Sequence, residues 1–230
     1  MSRGPPGTNA SDDADGLTRA IGSAAFVLRL RERGVRDTAV LRAMERVPRE
    51  HFVPPALRDH AARDIALPLP HGQTMTAPSV VAAMLGALDL RAEARVLEIG
   101  TGSGYVTALL VRLGAGHVRS LERYGALARA ARDRLGASLN DATVEVADGL
   151  APDGLGGQTF DRILVNGALD ALPPHLTDAL APGGRMVAAL RSARGSRLVG
   201  LAREGDGPPA RTEGPVLRLG PLTPGRARVS

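Results

Sequence analysis

Residues 95–105 read Arg95-Val96-Leu97-Glu98-Ile99-Gly100-Thr101-Gly102-Ser103-Gly104-Tyr105. A short apolar run with one acid in it meets three glycines at alternate positions, and a helix-forming stretch, residues 105–113, follows. The pattern predicts a strand, a tight turn and a helix. Glycines allow positive φ and let a ligand approach the backbone closely. The spacing G-x-G-x-G differs from the G-x-G-x-x-G turn of dinucleotide-binding folds, so a pyrophosphate at the helix start is less expected. An acid just before the turn, Glu98, suits a cationic ligand such as a sulfonium carrying an α-amine.

Downstream of this turn the chain keeps alternating. Strands are expected at residues 117–121, 143–146, 162–165 and 185–190, with helices at 124–135 and 174–180 and a turn at 181–184. Two further strand-like pieces, 197–202 and 215–219, read as antiparallel edge strands. The order implies an α/β, doubly wound, Rossmann-like sheet, mostly parallel, with helices on both faces. Upstream the periodicity is helical. Residues 17–33 form an amphipathic stretch ended by Gly34, and Asp37 can cap a second helix running to Arg46, closed by Pro48. A loop at 49–56, a short helix at 57–62 and an extended piece at 65–70 come next. Residues 71–78 then lead into a helix over 79–88, with Pro78 in its first turn and Thr76 a plausible N-cap. The expected organisation is a disordered stretch at 1–16, a helical, substrate-side segment at 17–93 and a core at 94–230, the last two forming one structural domain.

Composition bounds the function. Hydrophobic residues make up 43% and aromatics 2%, so the core must be filled by Leu, Val, Ala and Ile. Cysteine is absent, which excludes disulfides, thiolate metal sites and a cysteine nucleophile and fits a reducing compartment. The net charge is +5, but all 29 basic residues are arginine, and many alternate with acids, as in Arg31-Glu32-Arg33. A mixed-charge solvated surface is favoured over a phosphate-tracking stripe. Residues 1–16 contain no apolar core of a secretory signal, and no run approaches 18 apolar residues, so no membrane span is expected.

Ligands of open parallel sheets bind beyond the carboxyl ends of the strands. Besides the Glu98–Gly104 turn, with Gly100, Thr101 and Gly102 at its centre, three features fall there. Glu122 can accept two hydrogen bonds from a ribose diol. Asp148 can accept from an exocyclic adenine amine, and Gly149 leaves room for the ring. Asn166-Gly167 faces the same crevice. Each has a plainer reading: a surface acid at a helix start for Glu122, turn formers for Asp148 and Asn166. Their recurrence at successive strand ends outweighs those readings.

Between residues 47 and 190 the chain resembles the protein-L-isoaspartate O-methyltransferase family. The resemblance rests on Val47-Pro48-Arg49-Glu50-His51-Phe52-Val53-Pro54, on residues 67–78 with Gly72-Gln73-Thr74, on residues 96–105, on Leu121-Glu122-Arg123, on Asp148-Gly149 and on Pro182-Gly183-Gly184-Arg185. It implies a methyltransferase using S-adenosyl-L-methionine, leaving S-adenosyl-L-homocysteine, and acting on the free carboxylate of L-isoaspartyl residues in damaged proteins. The ester would then cyclise to a succinimide and hydrolyse partly to normal aspartate. The resemblance assigns the methionine end of the cofactor to the turn from Glu98 to Gly104, the ribose to Glu122 and the adenine to Asp148-Gly149. Gln73, Thr74, Met75, Thr76 and Asn166 fall to the substrate, and the catalytic hydroxyl to Thr76. Cytoplasmic location and isoaspartyl-containing proteins or peptides as partners follow; a metal, a stable nucleic-acid partner or a membrane is not expected.

The chemistry is compatible. A carboxylate is ionised near neutral pH, so alignment and water exclusion can replace a strong general base. Three departures bear on the substrate: Thr76 stands where the family usually has Ser, Ala62 where it often has Tyr, and Asn166-Gly167-Ala168 replaces a Thr-Ala-Ala run. The plain readings of the loop are Thr76 as a helix cap, Gln73 as a partner of loop backbone and His71 as an ordinary loop residue. Adenine amino-methylating enzymes would show Asn/Asp-Pro-Pro-aromatic at 166–169, and cytosine C5 methylation needs a cysteine; neither is present. An aspartate methyltransferase of a dedicated peptide, and a cofactor-binding protein without activity, stay open as alternatives.

Overall fold

The computed structural model describes residues 10–205 and 207–227. Its centre is a sheet built from β3 (Arg95–Ile99), β4 (His117–Glu122), β5 (Ala142–Val146), β6 (Phe160–Leu169), β7 (Leu180–Ser192), β8 (Gly195–Ala202) and β9 (Ala210–Leu217). The order is β5-β4-β3-β6-β7-β8-β9. The first five run parallel, and β8 and β9 add antiparallel at one edge. The chain leaves β3 toward β4 and β5, then returns to the other side of β3 as β6. That reversal opens a crevice beyond the carboxyl ends of the central strands.

Alternate residues of the strands feed two cores, because successive side chains point to opposite faces. Val96, Val118, Leu164 and Val187 face one cluster. Leu97, Leu121, Ile163, Val165 and Met186 face the other. The first is covered by α3 (Pro78–Leu88), α4 (Tyr105–Arg112) and α5 (Gly125–Leu135), with α1 (Ala10–Glu32) and α2 (Thr38–Arg46) outside them. The second is covered by α6 (Pro174–Asp178) and a 3-10 turn at Pro152–Leu155. Scarce aromatics are spent inside: Phe26, Phe52, Tyr105 and Phe160 are all buried.

Several boundaries differ from expectation. Helix α1 begins at Ala10, inside the stretch expected to be disordered; residues 1–9 lie outside the described residues. Extending a helix fixes one residue per added hydrogen bond, so a packed helix propagates into poor sequence. The expected helix at 57–62 is a 3-10 turn, Pro55–His60, and another 3-10 turn, Arg49–Phe52, occupies the expected loop. Helix α6 stops at Asp178 because Leu180 is already paired with Phe160 in the sheet. The turn expected at 181–184 is absorbed into β7, where Gly183 and Gly184 exchange backbone bonds with Arg203.

Two short strands, β1 (Leu67–Pro68) and β2 (Thr74–Met75), pair antiparallel outside the main sheet. Leu69 N–H donates to the Gln73 carbonyl at 2.7 Å, closing a small hairpin. At its tip His71 adopts φ 61°, and its ring stacks on Tyr124 with centroids 4.9 Å apart. The hairpin is thereby fixed against the start of α5, over the glycine turn.

Candidate active site

The glycine turn is held from below and from the side. Gly100 N–H donates to the Leu121 carbonyl at 2.8 Å, and Gly104 N–H to the Thr101 carbonyl at 2.9 Å. Gly102 N–H donates to Glu122 Oε2 at 2.9 Å, while Tyr124 N–H donates to the other carboxylate oxygen at 3.0 Å. The acid at the end of β4 thus braces the turn and the start of α5 together. A carboxylate has about four lone-pair sites, so acceptor capacity remains on each oxygen. Gly104 has φ 87°, and a Cβ there would lie 3.2 Å from the Ala131 Cβ, so this glycine serves the approach of α5.

A cleft opens above the turn. Of the residues expected at the site, Gln73, Thr74, Met75, Thr76, Gly100, Thr101, Gly102, Glu122, Asp148, Gly149 and Asn166 all line it. Gly104 and Glu98 do not. Glu98 is fully buried beneath the turn. Its Oε2 accepts from the Thr107 hydroxyl at 2.5 Å and from the Ser120 hydroxyl at 2.7 Å, and Thr101 Oγ1 meets Ser120 Oγ at 2.6 Å. Its Oε1 has no partner among the described residues. The turn hides this acid because β3 is central, and the inward residues of a central strand have no route to solvent.

Burial pushes the Glu98 carboxyl up from 4.5 to about 7; the bonds from Thr107 and Ser120 work the other way, and the nearby Glu122 adds to the rise. A raised folded-state value means that the contribution of Glu98 is fully present below pH 4.5 and is lost as the pH rises through about 7. A rise of that size corresponds to about 3 kcal/mol. The neutral variant Glu98→Gln is therefore expected to be more stable than the parent by about 2–3 kcal/mol at pH 8, with the difference closing near pH 4. Denaturant unfolding at several pH values measures this; a difference that does not vary with pH would refute a charged, buried Glu98.

Thr76 does not cap α3. Ala77 occupies that position, and the Asp64 side chain satisfies the helix start, accepting from Ser79 N–H at 2.8 Å. The Thr76 hydroxyl donates instead to Asn166 Oδ1 at 3.3 Å, long for an O–H···O bond and so easily redirected. Asn166 Nδ2 donates to the Gly100 carbonyl at 3.1 Å. One amide thus links the loop before α3 to the glycine turn. Asn166 and Gly167 were expected just past a strand; they lie within β6, where the register shifts between Leu164 and Ala168. The strand continues because Ala168 and Leu169 pair again with Ala189 and Leu190.

The remaining wall comes from the C-terminal segment, where the sequence offered no reading. Leu222 and Thr223 line the cleft. Ala168 N–H donates to the Gly220 carbonyl at 2.8 Å and Leu222 N–H to the Ala168 carbonyl at 2.9 Å. Further on, Gly225 N–H donates to Asp148 Oδ2 at 2.6 Å, and Leu150 N–H to Oδ1 at 3.0 Å. Nothing in a Gly/Pro-rich tail signals such contacts, which depend on partners some 50 to 80 residues away in the chain. Next to the cleft runs a groove that shares Thr74 and Thr76 with it and reaches Ser196, Leu217 and Arg218 at the sheet edge. Among the described residues no three His, Asp or Glu side chains gather as a metal site.

Residues 22–218 match the family model for protein-L-isoaspartate(D-aspartate) O-methyltransferase. The chain is 48% identical over 206 residues to a protein-L-isoaspartate O-methyltransferase of Bradyrhizobium sp., covering 88% of this chain and 94% of that one. It is 49% identical over 173 residues to the protein of the same name from Azorhizobium caulinodans, covering 74% and 78%. Among solved structures, a candidate protein-L-isoaspartate O-methyltransferase of Plasmodium falciparum, in complex with S-adenosyl-L-homocysteine, superposes with a TM-score of 0.73 at 19% identity, over 86% of this chain and 97% of that one.

Proposed function

We infer that this chain, which belongs to the protein-L-isoaspartate(D-aspartate) O-methyltransferase family, transfers a methyl group from S-adenosyl-L-methionine to the free carboxylate of L-isoaspartyl residues in proteins or peptides. The observation that carries the reading is the single amide of Asn166, which ties the Thr76 hydroxyl to the backbone of the glycine turn. Acceptor loop and cofactor turn are thereby held next to each other, as a reaction governed by alignment requires.

The residues present fit the cofactor. Gly100 keeps the cradle open, since a Cβ there would stand 3.1 Å from the Asn166 carbonyl oxygen and 3.5 Å from Leu222 Cδ2. Glu122 and Asp148 both line the cleft, and their carboxylates suit a ribose diol and an adenine amine. When bound, the cofactor supplies an electrophilic methyl on a sulfonium. The chain's own part is to hold the acceptor. The Thr76 hydroxyl turns from Asn166 to donate to one carboxylate oxygen, leaving the other free to react. Met75, buried beside it, keeps water out. No side chain needs to take a proton, because the acceptor arrives ionised.

The groove past Thr74 and Thr76 gives a peptide acceptor its approach, and Arg218 is the one charged residue along it. Isoaspartyl proteins or peptides as partners, and a cytoplasmic location matching the reducing compartment that a cysteine-free chain fits, belong to the same proposal. The test uses two peptides that differ only in an L-isoaspartyl or an L-aspartyl linkage, with methyl-labelled cofactor. Label is expected in the isoaspartyl peptide alone. Equal labelling would transfer the assignment to a general aspartate carboxyl methyltransferase, and no labelling with cofactor bound to a protein without activity.

A further inference from the structure

Arg49 carries a charge that the reaction so far leaves unused. It is 4% exposed, and among the described residues no carboxylate stands within ion-pairing distance of it. Four backbone carbonyls surround its guanidinium instead. One terminal nitrogen donates to Ala61 at 2.9 Å and to Arg63 at 3.3 Å; the other donates to Ile65 at 3.0 Å and to Thr76 at 3.1 Å. Nε is buried with no partner among the described residues. Burial lowers its pKa to about 10, so the group stays protonated in the neutral range. The charged or titratable groups facing it are Asp64 and Tyr105. Asp64 is engaged by Ser79 N–H and lies 3.6 Å from Arg33, and the Tyr105 hydroxyl is buried without a partner.

A buried cation with no carboxylate in contact is costly, and carbonyl dipoles and the more distant Asp64 offset only part of that cost. This one sits a single peptide group from the Thr76 side chain, where the acceptor carboxylate is to be held. We propose that Arg49 is a positioning and specificity-determining residue: it locks the 61–65 segment and Thr76 into one frame, and its charge, with no carboxylate in contact, makes the acceptor end of the cleft prefer an ionised carboxylate over a neutral carboxamide. The proposal rests on the isoaspartyl reading of the acceptor. It adds a reason why the chain would reject a peptide of the same shape with –CONH₂ in place of –COO⁻. Low local dielectric strengthens such discrimination, since an unscreened charge acts over several ångströms.

The experiment compares an isoaspartyl peptide with its carboxamide counterpart as competing ligands of the full chain, for the parent, Arg49→Lys and Arg49→Met. The parent is expected to bind the carboxylate form at least tenfold more tightly. Arg49→Lys, which keeps the charge but loses donors, should retain most of that preference with a raised KM. Arg49→Met should reduce it to threefold or less while S-adenosyl-L-homocysteine affinity stays within twofold. Equal binding of the two peptides by the parent overturns the proposal without any variant. A Met variant that loses affinity for both peptides alike also overturns it, since that is a scaffold effect. If Arg49→Met does not fold, loss of the preference in Arg49→Lys is the overturning result. A parent that methylates aspartyl and isoaspartyl peptides equally contradicts the substrate reading instead, and is recognised separately.

Discussion

Valine in place of Gly100 is expected to lower cofactor affinity by a hundredfold or more and to cost about 3 kcal/mol of stability. Gly100 has φ 92°, a region in which a β-branched residue is strained by ~1–3 kcal/mol. Space is equally short: the added Cβ would meet the Asn166 carbonyl oxygen at 3.1 Å and Leu222 at 3.5 Å. The backbone cannot yield easily, because Gly100 N–H is bound to Leu121 and its carbonyl to Asn166. Relief of the clash must push Asn166 or the turn, and either motion disturbs the cradle. Calorimetric titration with S-adenosyl-L-homocysteine, alongside thermal unfolding, measures both parts. Undiminished affinity would show that the turn does not hold the cofactor.

The second large effect concerns Thr76→Val. This substitution keeps the shape and removes the hydroxyl. Methyl transfer to the isoaspartyl peptide is expected to fall by about 10²-fold, the combined result of an unpaired carboxylate oxygen and lost alignment. Cofactor affinity should stay within twofold, since the role proposed for Thr76 is to hold the acceptor. Stability should change by less than ~0.5 kcal/mol, because the start of α3 is capped by Asp64 and not by Thr76. A residue acting only as an N-cap would give the reverse: ~1 kcal/mol of stability lost and turnover intact. Thr76→Ser, which restores a hydroxyl without the methyl, should keep activity within a few-fold of the parent. Steady-state kinetics with both variants, and denaturant unfolding of Thr76→Val, separate the two roles.

The glycine turn, the parallel order of strands and the acids at their ends are local signals. Alternation of apolar residues gives β3, three glycines at alternate positions give the turn, and Glu122 and Asp148 follow their strands directly. Such features were legible because each depends on neighbours within a few residues. Where two readings of one residue competed, distance in the chain decided. Thr76 before a helix looked like a cap, yet the cap came from Asp64 and the hydroxyl turned to Asn166, 90 residues away. Glu98 looked like a ligand-facing acid, yet the central position of β3 placed it under the turn with Thr107 and Ser120.

By itself, then, the sequence determined that a doubly wound α/β sheet carries a glycine turn after one of its strands, and its motifs named the family. Periodicity and turn chemistry act over short range, and a motif survives without knowledge of its surroundings. The tertiary structure alone decided which polar groups meet: Asn166 with both Thr76 and Gly100, Gly225 with Asp148, and Arg49 with four carbonyls from two segments. Hydrogen bonds need atoms within about 3 Å, and only the folded sheet brings residues 49, 76, 100, 148, 166 and 225 to one end.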